Sequence, residues 1–425
     1  MKIDYKLTKL KNGMRVLLVP NKHVESVNVS IFFRVGSRCE DENIAGISHF
    51  LEHMFFKGTK KRPKAKFISE AIDSVGGEMN AFTSYEYTGY WIKVAKQHTD
   101  LAIDVLSDMI IDSKFLQKEL DRERNVIKEE MKMYEDNPDY YIWRVWNKVL
   151  YGEQGLGREI AGTREALDNI NHPEMIEYRN NYYSVANGLL VVVGNFVETS
   201  LMTTLNKYWN KVSKGMRSEY QLASDYQPKP QVELLTKDIQ QANMCVGVRS
   251  YRSFHPDHFV VNLISVILGR GMSSRLFLRV REKHGLVYTI RAMADNYVDV
   301  GNLVVKTGCD ANKAEQALKM ILEEFKKLTK EKVLKKELDK AKEYWKGTLI
   351  LSLEDLESVG GMVGMQELLF DKVVTPDQMI KAIDKVTAED IMRVAKDMFT
   401  AEKLNLAVIG PFKNSKKFAG IISNF

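Results

Sequence analysis

Residues 118–124 read KELDRER, and residues 336–342 read KELDKAK. The strings lie 218 residues apart in a chain of 425. Each falls in a long helical tract that follows a strand pair and an amphipathic helix. Self-similarity at a fixed offset indicates one supersecondary plan built twice. A chain of this length also exceeds what one ordinary core accommodates. The expected fold is α+β, with two homologous domains, each a mostly antiparallel sheet packed with helices.

Outward from the first string, the segments 14–20 (MRVLLVP) and 27–35 (VNVSIFFRV) read as strands. Helical periodicity covers 46–56 and 64–75, the latter stopped by Gly76-Gly77. Residues 78–94 are dense in Thr, Tyr and Phe with polar alternation, the pattern of antiparallel strands with one wet face. Helices follow over 100–111 and 116–135, then a buried strand at 189–193 and a helix at 197–210. Residues 213–232 lose apolar periodicity and contain Pro228 and Pro230, so the linker is placed there. The plan then recurs: a strand near 243–249, a helix near 257–268, strands around 287–307, and helices near 311–328 and 334–350. The expected domains are 1–212 and 233–425.

Composition narrows the function classes. Hydrophobic content of 44% and charged content of 28% describe a globular protein, and no apolar run reaches membrane-spanning length. The N-terminal residues lack a continuous apolar segment, so a cytoplasmic location is expected. Cys39, Cys245 and Cys309 are odd in number and unpaired in spacing, which suits reduced thiols. A net charge of +6, with lysines interspersed among glutamates, gives no basic stripe for nucleic acid.

The two copies differ where chemistry is expected. Residues 48–59 read SHFLEHMFFKGT; on a helix, His49 and His53 are i,i+4 neighbours, about 5–6 Å apart at Cβ. Both can face one metal ion, with Glu52 beside them as a base. This is the H-x-x-E-H order of the inverzincins. By position in the plan, the matching helix of the second copy is VVNLISVILG (260–269), which has no histidine. At the offset of 218, Glu123 corresponds to Ala341 and Glu130 to Thr348. Polar groups present in one copy and absent from the other are not needed by the scaffold. On the 116–135 helix, Glu119, Glu123 and Glu130 lie near one face. Glu130 is the candidate third ligand and Glu123 its support; a solvated acidic stripe is the alternative.

Together with GGEMNAFTSYEYTGYW (76–91) and ERNVIKEEMKMYEDNP (123–138), the motif resembles the pitrilysin-type metallopeptidases, in the branch of the processing peptidases and their short bacterial relatives. The resemblance extends to LGREIAGT (156–163) and NYYSVANGLLVVVGN (181–195). It implies one Zn²⁺ per chain held by His49, His53 and Glu130, with Glu123 supporting and Glu52 as general base. It implies that Asn80, Ala81, Phe82 and Thr83 form an edge strand that binds substrate by strand addition. In 268–290 it implies an Arg281/Tyr288 pair that binds substrate backbone and stabilises the oxyanion.

The activity expected from the resemblance is that of a zinc-dependent endopeptidase or oligopeptidase acting on unfolded peptides. A non-catalytic peptide-binding or structural subunit is the alternative. The chain is about half the length of single-chain pitrilysins and carries both residue sets, so a homodimer with composite active sites is expected.

Overall fold

The computed structural model describes residues 3–425. In chain order, the first half supplies β1 (Lys6–Lys9), β2 (Arg15–Pro20), β3 (Ser26–Phe33), α1 (Ile47–Phe55), α2 (Ala65–Asp73), β4 (Glu78–Thr83), β5 (Thr88–Ala95), α3 (Thr99–Asp112), α4 (Gln117–Asp136), α5 (Pro138–Tyr151), α6 (Arg164–Asn169), α7 (His172–Tyr182), β6 (Gly188–Gly194) and α8 (Glu198–Trp209). The second supplies β7 (Gln231–Thr236), β8 (Gln241–Ser250), α9 (His258–Gly269), β9 (Val287–Asn296), β10 (Gly301–Asp310), α10 (Ala314–Lys330), α11 (Lys335–Ser352), α12 (Leu356–Phe370), α13 (Pro376–Lys385), α14 (Ala388–Met398), β11 (Leu404–Gly410) and α15 (Lys416–Ser423). Among the described residues, no helix is long and apolar enough to cross a membrane.

The duplication is explicit in the sheets. The first has the order β1-β2-β6-β3-β5-β4 and the second β7-β11-β8-β10-β9. Without the short edge strand β1, the orders correspond strand for strand. Each has one parallel pair, β2 with β6 and β7 with β11, and is otherwise antiparallel. The fold is therefore the expected α+β arrangement, with β4 and β9 at equivalent edges. The sequence reading missed β1, β7 and β11.

Two compact units form. One comprises residues up to Met131 with Glu159–Gln221 and Ile350–Pro376; the other comprises Lys132–Arg158, Leu222–Leu349 and Asp377–Phe425. The division expected from sequence followed the chain, whereas packing follows an exchange of helices. The early helix α5 belongs to the second unit and packs on β7, β8 and β11. Its Trp146 is buried and donates an indole N–H to Asn302 Oδ1 at 3.3 Å. The break that frees α5 from α4 is written locally: Asn137 caps the helix, accepting from the Asp139 N–H, and Pro138 opens it.

In the first unit, the late helix α12 lies on β3 and β6. Leu356, Val359, Val363 and Leu368 pack on Leu17, Phe32, Val191 and Val193. Each such side chain stabilises by roughly 1.5–3 kcal/mol when fully buried. The opposite face of this sheet carries Val16, Val29, Ile31, Leu190 and Val192 against α1 and α3. Burial on both faces explains why the LLVVV stretch is continuously apolar rather than alternating. The second unit has one extended core of its own, from β8, α9, β10, α10 and β11.

Candidate metal centre

Helix α1 begins at Gly46, which adopts φ +98 in the left-handed region. A Cβ there would approach the Ala161 carbonyl oxygen to 2.4 Å, so the close turn requires glycine. Two N–H groups at its start are satisfied from outside the helix. The buried Glu40 carboxylate accepts from Gly46 N at 2.6 Å and Ser48 N at 2.8 Å. A carboxylate here also complements the positive end of the helix dipole. Ile47, Phe50, Leu51, Met54 and Phe55 then enter the core, leaving His49, Glu52 and His53 on the less buried face.

Helix α4 presents Leu120, Ile127 and Met131 to the same core, and Glu123 is buried among them. Glu130 is partly open, whereas its neighbour Glu129 is exposed. The structure brings Glu130 to the two histidines. Its Oε2 lies 3.4 Å from His53 Nε2 and 3.9 Å from His49 Nε2. One ligand atom from each of the three residues falls within 4.8 Å of the others. With bonds of about 2.0–2.1 Å, tetrahedral coordination places neighbouring ligand atoms roughly 3.3 Å apart. Two imidazole nitrogens and a carboxylate oxygen at these separations fit Zn²⁺ in both chemistry and size.

Electrostatics separates the two histidines. Burial lowers the pKa of His49 to about 4, aided by His53 and opposed by Glu130. Burial also acts against the charged form of His53, but hydrogen bonds to Glu130 and Glu123 outweigh it and raise its pKa. His53 Nδ1 lies 3.3 Å from Glu123 Oε2, and Lys57 Nζ lies 2.8 Å from Glu123 Oε1. Such a carboxylate fixes the ring and raises its basicity as a ligand. Glu52 is raised above the ordinary carboxylate range, first by burial, against a lowering hydrogen bond from Thr83. That bond runs from Thr83 Oγ1 to Glu52 Oε2 at 2.5 Å.

The remaining candidates divide between the units. Asn80, Ala81, Phe82 and Thr83 occupy β4, whose outer edge is unpaired in its sheet. Asn80 is exposed and Phe82 packs on Phe32 and Tyr87. In the second unit, Arg281 is exposed on a π-helical turn, Phe277–Lys283, with its guanidinium 4.7 Å over the Phe277 ring. Tyr288 is the second residue of the edge strand β9 and is 56% exposed. Both offer donors to solvent.

Sequence reasoning did not find Lys57, Glu40 or the Thr83 contact. Lys57 lies four residues beyond His53, a helical spacing that pointed to it. Glu40 acts across a loop and left no periodic signal.

Comparisons with known proteins place the chain in a family. Residues 15–164 match the profile of insulinase (peptidase family M16), and residues 169–344 that of the peptidase M16 inactive domain. An uncharacterized zinc protease of Bacillus subtilis, YmxG, is 38% identical over 378 residues, covering 88% of this chain and 91% of the relative. An uncharacterized zinc protease of Rickettsia felis is 31% identical over 387 residues, covering 91% and 93%. In fold, a protease from Helicobacter pylori superposes with a TM-score of 0.89 at 23% identity, covering 96% of this chain and all (100%) of that one.

Proposed function

This chain belongs to peptidase family M16, the pitrilysin-type family, and from that premise we propose that it is a zinc-dependent endopeptidase cleaving unfolded peptides. The observation that carries the reading is the convergence of His49 Nε2, His53 Nε2 and Glu130 Oε2 beside the Glu52 carboxylate. These three residues would hold the metal, one ion per chain. When bound, zinc lowers the pKa of a water to about 7 and polarises the scissile carbonyl.

The chain's own groups do the rest. Glu52, with its carboxyl raised by burial, is a base nearer neutral pH than a free glutamate. It takes the proton of the attacking water and passes it to the leaving amine. General-base help of this kind contributes about 10²–10⁴-fold. Glu123 orients His53, and Lys57 neutralises Glu123. β4 is an edge strand of its sheet, and an extended peptide adds as a further strand along Asn80–Thr83, where the Ala81 N–H is held by Asn80 Oδ1 at 2.9 Å in the free chain. That mode requires an unfolded segment, which sets the substrate class.

Arg281 and Tyr288 are donors suited to the developing oxyanion. Each chain's pair serves the zinc site of a second copy in a homodimer, and the enzyme works in the cytoplasm. A metal assay coupled to cleavage of a quenched peptide tests the core of this reading. One zinc per chain and chelator-sensitive cleavage are expected. A metal-loaded protein inert to every unfolded peptide offered would make it a binding subunit instead.

A further inference from the structure

We propose that Thr83 is the positioning residue of the general base, aiming the Glu52 carboxylate, rather than part of a substrate side-chain pocket. The inference rests on the reading of Glu52 as base. Its support is geometric. Along β4, Met79 and Ala81 pack into the core that contains α1, while Phe82 packs on Phe32 and Tyr87 beyond the opposite face. Alternation therefore turns Thr83 toward α1, where its hydroxyl donates to Glu52 Oε2 at 2.5 Å. A hydroxyl bonded to an ionised carboxylate at this length is a strong, charge-assisted contact. It occupies Oε2 and leaves Oε1 for proton transfer.

Both partners of this bond are fixed by one short segment, Gly36–Glu40. Thr83 ends β4 and is followed by a tight turn in which Ser84 N donates to Tyr87 O at 2.9 Å. The segment grips that turn: Ser37 N donates to Ser84 O at 3.1 Å, and Arg38 N to Tyr85 O at 2.9 Å. The buried Arg38 guanidinium pairs with the buried Glu86 at 2.6 Å. At Gly36 a Cβ would stand 2.2 Å from the Ser84 oxygen, so no larger residue permits this approach. Two residues past Arg38, Glu40 holds the N-terminus of α1. The strand bearing Thr83 and the helix bearing Glu52 are thus set against each other by the same brace. Such support is what holds a catalytic group within a fraction of an ångström of its working position.

It follows that the strand to which substrate adds is also the strand that orients the base. Thr83→Val keeps the shape and strand preference of the side chain and deletes the donor; Thr83→Ser keeps the donor. In the full-length zinc-loaded protein, Thr83→Val should lower kcat by about 10- to 100-fold. KM should stay within about twofold, since ground-state binding is not removed. Zinc content should remain unchanged, and Thr83→Ser should restore most of kcat. A crystal structure of Thr83→Val should show Glu52 turned away with His49, His53 and Glu130 in place.

A raised KM with kcat intact would overturn the proposal in favour of a pocket role. An unmoved Glu52 carboxylate in the variant crystal would overturn it too. Should the wild-type protein show no chelator-sensitive cleavage, the base reading itself fails. The crystallographic comparison then still decides whether Thr83 holds Glu52.

Discussion

His53 Nδ1 stands 3.3 Å from the buried Glu123 carboxylate, while the Nδ1 of His49 is buried with no hydrogen-bond partner among the described residues. The two histidines of the proposed metal centre are therefore supported unequally. Outer carboxylates of this kind typically contribute about 10- to 100-fold to metal affinity. Glu123→Ala should weaken zinc binding by that order in a chelator competition, and Lys57→Met by less. Equal affinity for Glu123→Ala and wild type would remove Glu123 from the centre.

The Glu40 carboxylate satisfies two buried N–H groups at the start of α1. Glu40→Ala strands both, and an unsatisfied buried donor costs about 1–3 kcal/mol. Denaturant unfolding should show a loss of this order, with lower zinc occupancy because the His49–His53 helix is no longer held. A variant as stable as the wild type would contradict this account of the helix start.

Asp104 receives the Arg62 guanidinium at 2.7 Å and is also paired with Lys61. Arg62 reaches Asp108 as well at 2.7 Å, tying the loop after α1 to α3. Burial alone would raise the Asp104 carboxyl, but its bonds to Lys61 and Arg62 win and hold it below the ordinary range. A depressed carboxyl contributes stability that is present above its unfolded pKa, about 3.9, and lost as pH falls through the lower folded value. Asp104→Asn should therefore destabilise at neutral pH, with the difference narrowing below about pH 4. Arg62→Met leaves Asp108 without its cation and Asp104 with Lys61 alone, and breaking this buried pair should cost about 3–5 kcal/mol at neutral pH. Urea melts at several pH values check both; a pH-independent difference for Asp104→Asn would count against the pairing.

Complementation tests the composite homodimer. Glu52→Gln chains retain Arg281 and Tyr288, and Tyr288→Phe chains retain Glu52. If each site draws on two chains, mixing the inactive variants should regenerate one intact site per mixed dimer. Loss of an oxyanion donor costs about 10²–10³-fold in kcat, so the recovery would be easily read. No recovery after subunit exchange, or a fully active monomer in sedimentation, would contradict the proposal.

What the sequence disclosed followed from local periodicity. His49 and His53 are read from helical spacing alone, and comparing the KELDRER and KELDKAK copies isolates Glu130 and Glu123 as groups the scaffold does not need. Each α1-like and α4-like helix also forms close to its expected bounds. The exchange of α5 and α12 was not legible, because nothing local states which sheet a helix will cover. Strands β7 and β11 were missed because β7 is short and half-exposed at a sheet edge, and β11 lies far from the motifs. Glu40, Arg38 and the Thr83–Glu52 contact were hidden for a related reason. Their partners lie across loops, and a Glu or Thr in isolation carries no signal of what it will meet.

The most direct test of the central assignment is Glu52→Gln, which preserves size and removes the base. This variant should keep one zinc per chain by metal analysis and lose nearly all chelator-sensitive peptide cleavage. A variant that sheds its zinc, or one that cleaves at the wild-type rate, would contradict it.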